Sequence, residues 1–218
     1  MKRRTFIATF VGSALLLAGC GGGSNAPSTP SGAEQRAAER LTRSVREKYG
    51  LPALGGVVIK SDGSPVALAV DGVRQAGKSD KVNPDDRWHI GSCAKSMTAV
   101  LVARLVSEGK LSWDSKPADV LPELNGKIHP DYASATLRQI LLMRAGLPGV
   151  ESRDELAALP PVSGTPREQR RAISGYVLSL PAENTPDEAA YSNASYVVAT
   201  AMAEAVAGDT WENMIRNR

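Results

Sequence analysis

Ser92 and Lys95 are the pair in this sequence best placed for nucleophilic chemistry. They lie in Trp88-His89-Ile90-Gly91-Ser92-Cys93-Ala94-Lys95-Ser96-Met97, where a glycine precedes the serine and an almost wholly apolar run continues to residue 106. The pattern predicts a helix opening at Ser92. A hydroxyl at such an opening lies near backbone N–H groups that lack intrahelical partners and can hold an oxyanion. Lys95 follows by about one helical turn, so its amine returns to the face that carries Ser92. There it can act on the serine's proton. Met97, Leu101 and Leu105 form one apolar stripe and Val102 and Val106 another, which predicts a helix buried on most sides. Cys93 is expected to be a small buried residue of that helix rather than a thiol nucleophile.

Serine-x-x-lysine is common, with about one chance match expected in a chain of this length. Ser107-Glu108-Gly109-Lys110 also fits. That serine falls where the helix should end, beside free carbonyls rather than free N–H groups, and suits a nucleophile poorly. Context selects Ser92.

The elements that must position this pair begin after an export segment. Lys2, Arg3 and Arg4 precede an apolar run at 6–18, too short to span a bilayer permanently. Leu17-Ala18-Gly19-Cys20 resembles the bacterial lipoprotein signal, which implies cleavage before Cys20 and lipid on its thiol. Arg3-Arg4-Thr5-Phe6-Ile7 is also similar to a twin-arginine export signal. The expected organisation is a signal peptide at 1–19, a flexible Gly/Ser/Pro/Asn tether at 20–33 and one domain at 34–218. Loss of residues 1–19 removes three positive charges and takes the formal +3 to zero, so nothing supports nucleic-acid binding. With Cys20 acylated, Cys93 has no partner and no disulfide framework exists.

Residues 33–49 place Ala38, Leu41, Val45 and Tyr49 at helical spacing and stop at Gly50. Two β-rich runs at 54–60 and 65–74 flank Ser61-Asp62-Gly63-Ser64, a hairpin signal. The expected unit is a helix lying on an antiparallel sheet. Gly72-Val73-Arg74-Gln75-Ala76-Gly77-Lys78-Ser79 fits the phosphate-binding P-loop pattern. However, the acidic, Pro84-bearing stretch that follows cannot be the helix this motif requires, so it reads as a solvated loop. Further helices are expected at 135–143, near 167–180, at 196–207 before Gly208, and from 210 onward; 114–121 reads as loop. A final helix of about nine residues is marginal unless something packs on it. His89 and His129 are the only histidines, and neither has a carboxylate cluster that would suggest a triad or zinc site.

Several of these motifs occur in an order and spacing that resemble the serine β-lactamase and penicillin-binding-protein superfamily, particularly class C β-lactamases and their esterase and peptidase relatives. Gly91-Ser92-Cys93-Ala94-Lys95-Ser96 is similar to the nucleophile motif, and Glu108-Gly109-Lys110-Leu111 with Asp114 to its continuation. The stretch 137–148 is similar to the next signature, and Tyr191-Ser192-Asn193 to the tyrosine-x-asparagine motif. The resemblance implies an α/β chain built as an α+β sandwich of the β-lactamase/transpeptidase type, with a helical part and an N-terminal β-hairpin.

It also implies roles. Ser92 would be the acylated nucleophile and Lys95 its proton acceptor or electrostatic helper. Tyr191 would share the proton transfers, ionised with the help of the Lys95 charge. Asn193 would hydrogen-bond the amide of a substrate's acyl side chain. Read by position alone, Tyr191 is a helix-edge tyrosine and Asn193 a helix cap. No cofactor and no metal is implied.

Two departures fall in loops. Met143-Arg144-Ala145-Gly146-Leu147 stands where the family usually has His-Thr-Ser-Gly-Leu, and Asp187-Glu188 where Pro-Gly is common. The family's third motif, on a late strand that supplies the second oxyanion donor, has no counterpart here. The expectation is therefore a chain truncated at its C-terminus, with the later sheet strands missing. Loss of one oxyanion donor costs about two to three orders of magnitude in rate.

The sequence thus points to a serine hydrolase, lipid-anchored at a bacterial cell envelope and acting on a β-lactam, a D-amino-acid peptide or a small ester. The alternative is a truncated, non-catalytic relative that binds a partner through an exposed sheet edge or is not stably folded alone. A helical lipoprotein domain with coincidental motifs is the remaining reading.

Overall fold

The computed structural model describes residues 32–217, and every structural statement below concerns these residues. The expected signal peptide, Cys20 and the tether as far as residue 31 lie outside them. The described chain forms two compact units that divide after Trp88.

In the first unit, helix α1 (Gly32–Lys48) precedes an antiparallel hairpin of β1 (Ala53–Ile59) and β2 (Pro65–Gly72). Asp62 shapes its turn by accepting hydrogen bonds from the N–H and hydroxyl of Ser64. α1 lies on the hairpin, as the sequence predicts. Gln35 reads the Leu68 backbone at both its N–H and carbonyl, and Arg46 pairs with Asp71. The buried stripe is rotated from expectation. Thr42 is buried, whereas Leu41 is 66% exposed and Tyr49 points outward. The stretch after β2 forms a loop through Lys78, closed by Arg74 on Asp86 at 2.9 Å. It has no helix of the kind a phosphate loop needs.

The second unit is helical: α2 (Cys93–Ser107), α3 (Pro117–Val120), α4 (Leu137–Leu141), α5 (Arg153–Ala158), α6 (Pro166–Ser179), α7 (Asn193–Ala207) and α8 (Trp211–Asn217). Short 3-10 turns occur at Pro122–Leu124 and Pro130–Tyr132. Thr136, Ser152 and Thr165 each close a reciprocal capping box, with Gln139, Glu155 and Glu168 respectively. Two of these elements correct the sequence reading: α3 falls in a stretch read as loop, and α5 in a proline-flanked stretch given no element. Both are too short for apolar periodicity: the Ser152 capping box closes α5, and α3 opens on Pro117 without a side-chain cap. His129 caps the second 3-10 turn and has Asp131 3.2 Å away, a local pairing that the sequence reading did not anticipate.

α7 is the hub, with α2, α3, α4, α6 and α8 packed on it. It is rich in alanine, and Ala194, Ala199, Ala201 and Ala203 let the surrounding helices approach closely. It ends at Gly208, whose φ of 66° forms a left-handed cap that costs a glycine no side-chain strain. α2 meets the core by one stripe only: Thr98, Leu101, Val102 and Leu105 are buried, while Cys93 and Met97 are exposed and Val100 is 71% exposed. The expectations of a helix enclosed on most sides and of a buried Cys93 are therefore corrected. Helical geometry turns these three side chains away from the buried stripe.

The short α8 is held by specific bonds. Met214 is buried, and the Trp211 indole N–H donates to Thr98 on α2 at 3.0 Å. The Glu204 side chain is only 2% exposed; it takes Arg170 from α6 at both carboxylate oxygens and the Trp211 backbone N–H at 2.8 Å. Arg170 also pairs with Glu212 at 2.9 Å. Burial opposes the Arg170 charge, but the two carboxylates outweigh it and raise its pKa, while Arg170 lowers that of Glu212.

Arg170→Met should lower unfolding free energy by about 3–5 kcal/mol, because it strands the Glu204 charge in the core. Urea denaturation should show Glu212→Gln costing far less, since that partner is partly solvated, and Arg170→Met/Glu204→Leu recovering most of the loss.

Candidate active site

Gly91 adopts a φ of 53°, a left-handed turn that brings the chain into α2 with Ser92 as its cap residue. Serine normally caps a helix through its own hydroxyl. Here that hydroxyl makes no capping bond. The N–H groups of Cys93, Ala94 and Lys95 are taken by turn carbonyls, so the Ser92 N–H remains without a partner among the described residues.

At the start of α7 the work is divided differently. Ser192, not Asn193, is the cap: its buried hydroxyl accepts from the Ser195 N–H at 3.0 Å and donates to the Pro148 carbonyl at 2.6 Å. Tyr191 and Asn193 on either side are thereby released from capping, and both side chains reach α2.

The Lys95 amine bonds three oxygens: Ser92 Oγ at 3.0 Å, Tyr191 Oη at 2.8 Å and Asn193 Oδ1 at 2.6 Å. An ammonium has three N–H donors, and this set uses them all. Ser92 Oγ and Tyr191 Oη share a hydrogen bond of 2.5 Å. Hydrogen bonds from Lys95 and then Ser92 hold the Tyr191 phenol below its ordinary pKa of about 10, against burial and the nearby negative charge of Glu151. Ionised to the tyrosinate, which the lysine charge holds, Tyr191 can accept the serine proton and become the neutral phenol. The four residues singled out in the sequence at 92, 95, 191 and 193 thus meet at one place.

Asn193 is committed at both ends of its amide, Oδ1 to Lys95 and Nδ2 to the Val150 carbonyl at 2.8 Å. Val150 holds a φ of 50°, a costly conformation for a β-branched residue, and its carbonyl thereby fixes Asn193. No sequence signal marks a backbone carbonyl. Tyr196 was also missed, although it lies three residues after Asn193 on the same helical face. Lys95 sits 5.7 Å from the centre of its ring, and burial raises its pKa.

The two unusual loops face one another. The Asp187 N–H donates to the Arg144 carbonyl at 2.8 Å, the Arg144 guanidinium donates to the Asp187 carbonyl, and Gln139 holds the Asp187 carboxylate at 2.8 Å. Ala190 N–H to Met143 carbonyl and Asn193 N–H to Gly149 carbonyl extend this pairing to the site. Gly146, at φ 80°, lies where a Cβ would come 2.6 Å from the Asn184 carbonyl oxygen, so this contact requires glycine. The second serine-x-x-lysine behaves as expected: Ser107 ends α2 and Lys110 pairs with Glu108 at 3.0 Å.

Comparison with known proteins adds one decisive observation: the Beta-lactamase family profile matches residues 38–218. The chain belongs to the beta-lactamase family. Penicillin-binding protein 4 of Amycolatopsis lactamdurans is 25% identical over 175 residues, which cover 80% of this chain and 43% of that protein. A penicillin-binding protein homologue from Caulobacter crescentus superposes with a TM-score of 0.64 at 23% identity, covering 84% of this chain and 47% of the other. A D-alanine carboxypeptidase from Burkholderia cenocepacia gives 0.61 at 21% identity, covering 85% and 47%. The fold is thus that of β-lactamases and transpeptidases, represented by helices and an N-terminal hairpin. The chain spans less than half the length of each of these relatives.

Titration of phenolate absorbance should show one tyrosine ionising below the ordinary tyrosine range. Tyr191→Phe should abolish that step, and Lys95→Met should move it back up.

Proposed function

We propose that this chain carries the nucleophile-bearing part of a serine hydrolase that works through an acyl-Ser92 ester. The observation that carries this reading is the closed triangle of Ser92 Oγ, Tyr191 Oη and Lys95 Nζ. Ser92 Oγ attacks the acyl carbon while its proton passes to Tyr191. Lys95 stabilises the tyrosinate that receives it, and the unpartnered Ser92 N–H faces the charge developing on the acyl oxygen. When the tetrahedral intermediate collapses, Tyr191 returns the proton to the leaving group, and water then releases the acyl group by the reverse sequence. Asn193 keeps Lys95 in register with both hydroxyls.

The substrate class is a β-lactam, a D-amino-acid peptide or a small ester. Membership of the beta-lactamase family supports it, as do relatives that include a penicillin-binding protein and a D-alanine carboxypeptidase. The protein is exported and attached to a bacterial membrane through lipid on Cys20, a reading that rests on the sequence at 1–20. Among the described residues no helix is long and apolar enough to cross a membrane.

A second, non-catalytic reading draws on β1, where Val57, Val58 and Ile59 are all exposed on a two-stranded sheet. In that reading the strand recruits a protein partner by edge pairing.

Incubation with a fluorescent penicillin and with a fluorophosphonate, followed by intact-mass measurement, separates the two. The hydrolase reading expects one adduct per chain that Ser92→Ala abolishes and Lys95→Ala slows by at least about two orders of magnitude. Wild type that labels no better than Ser92→Ala refutes it.

A further inference from the structure

Lys95 has a further neighbour besides the three oxygens it bonds. Its amine lies over the Tyr196 ring, 5.7 Å from the centroid. Tyr196 offers Lys95 that ring and not its hydroxyl, which donates to the Leu141 carbonyl at 3.3 Å. Tyr191 does the reverse. Its ring centre is 4.8 Å from the same amine, but there the hydroxyl is the partner, at 2.8 Å.

The backbone dictates where the Tyr196 ring goes. Tyr196 follows Asn193 by three residues on α7, so the two share a face. Helical side chains lean toward the N-terminus, and the ring therefore covers the turn from which Asn193 reaches Lys95. The Leu141 carbonyl, at the end of α4, fixes its far edge. Burial and the neighbouring Tyr191 both raise the Tyr196 pKa, so Tyr196 stays neutral where Tyr191 ionises. The donors of the ammonium are already taken by Ser92, Tyr191 and Asn193. What the ring adds is the negative face of its π system and an apolar cover against water.

We propose that Tyr196 is a positioning residue for the reaction at Ser92: the face of its ring, not its hydroxyl, keeps the Lys95 ammonium charged and aimed at Ser92 Oγ and Tyr191 Oη. The consequence for rate rests on the acyl-Ser92 reading; the hold on the ammonium does not. Without the ring, water solvates this side of the amine, and the long lysine chain regains other rotamers. A charge held less firmly stabilises the tyrosinate less, so the loss passes on to Tyr191. Tyr196 thus acts through Lys95 and needs no contact with substrate. A tyrosine that only filled space between α4 and α7 would be indifferent to how charge is distributed over its ring.

Two substitution series use that difference. Each is read by the rate at which a fluorophosphonate labels Ser92 and by the Tyr191 ionisation in phenolate absorbance. Tyr196→Leu should slow labelling about five- to thirtyfold and move the Tyr191 ionisation up toward the ordinary tyrosine range. Tyr196→Phe keeps the ring face and loses only the bond to Leu141. It should recover most of the lost rate and leave the Tyr191 ionisation low. In the second series, phenylalanines carrying one, two and three ring fluorines replace Tyr196. Fluorine drains negative charge from the ring face while keeping its shape, so this series stays informative even where Tyr196→Leu unfolds. Labelling should slow, and the Tyr191 ionisation should climb, with each fluorine added. A flat fluorine series, or Tyr196→Phe as slow as Tyr196→Leu, overturns the proposal while Ser92 still labels. No labelling in any form, with the Tyr191 ionisation still climbing along the fluorine series, strikes the acyl-serine reading and keeps the hold of the ring on Lys95.

Discussion

One ammonium group organises this molecule. Lys95 directs its three N–H donors at Ser92, Tyr191 and Asn193, and so ties the first turn of α2 to the first turn of α7. Each of those turns had to give something up for this. Ser92 occupies a cap position without capping, and Ser192 takes over the cap at α7 so that its two neighbours are free to reach across. The resulting triangle is strongly coupled electrostatically, because the phenol sits within hydrogen-bond reach of both a cation and a hydroxyl.

The rest of the helical unit keeps these two turns apart by the right distance. α7 is the shared surface on which the other helices lie, and its alanines set how closely they approach. Arg170, Glu204 and Glu212 lock α6, α7 and α8 together in one largely buried charge cluster. Such a cluster is a weak source of stability and a strong source of uniqueness of packing, since any shift would leave a buried carboxylate unpaired. Trp211 then passes the restraint to α2 through Thr98, one turn beyond Lys95. On the opposite flank, the backbone bonds between 143–149 and 187–193 hold the loop that presents Val150 to Asn193. The residues that depart from the family pattern in these two loops, Arg144 and Asp187, bond to each other, so the departures compensate locally.

Much of this was legible in advance. The hairpin, the helix lying on it and the spans of α4, α6, α7 and α8 follow from periodicity and from stop residues such as Gly208. Ser92, Lys95, Tyr191 and Asn193 could be named from their spacing and resemblance before any coordinate was known. The misses have physical reasons. Helix periodicity tells which residues share a face but not which face a neighbour covers, so Leu41 and Cys93 read as inward-facing and point outward. Short capped elements such as α5 carry too few apolar residues to produce a periodic signal.

The sequence by itself determined the chemistry available: a hydroxyl at a glycine-led helix start, an amine one turn away, and a tyrosine and an asparagine at the head of a second helix. These are local properties, dictated by spacing and backbone propensity within a few residues. Only the tertiary structure decided that the two helix starts meet and that Asn193 is gripped from behind by the Val150 carbonyl. Those facts depend on contacts between residues 43 to 99 positions apart. No local pattern encodes such contacts, because they are selected by how the whole core packs.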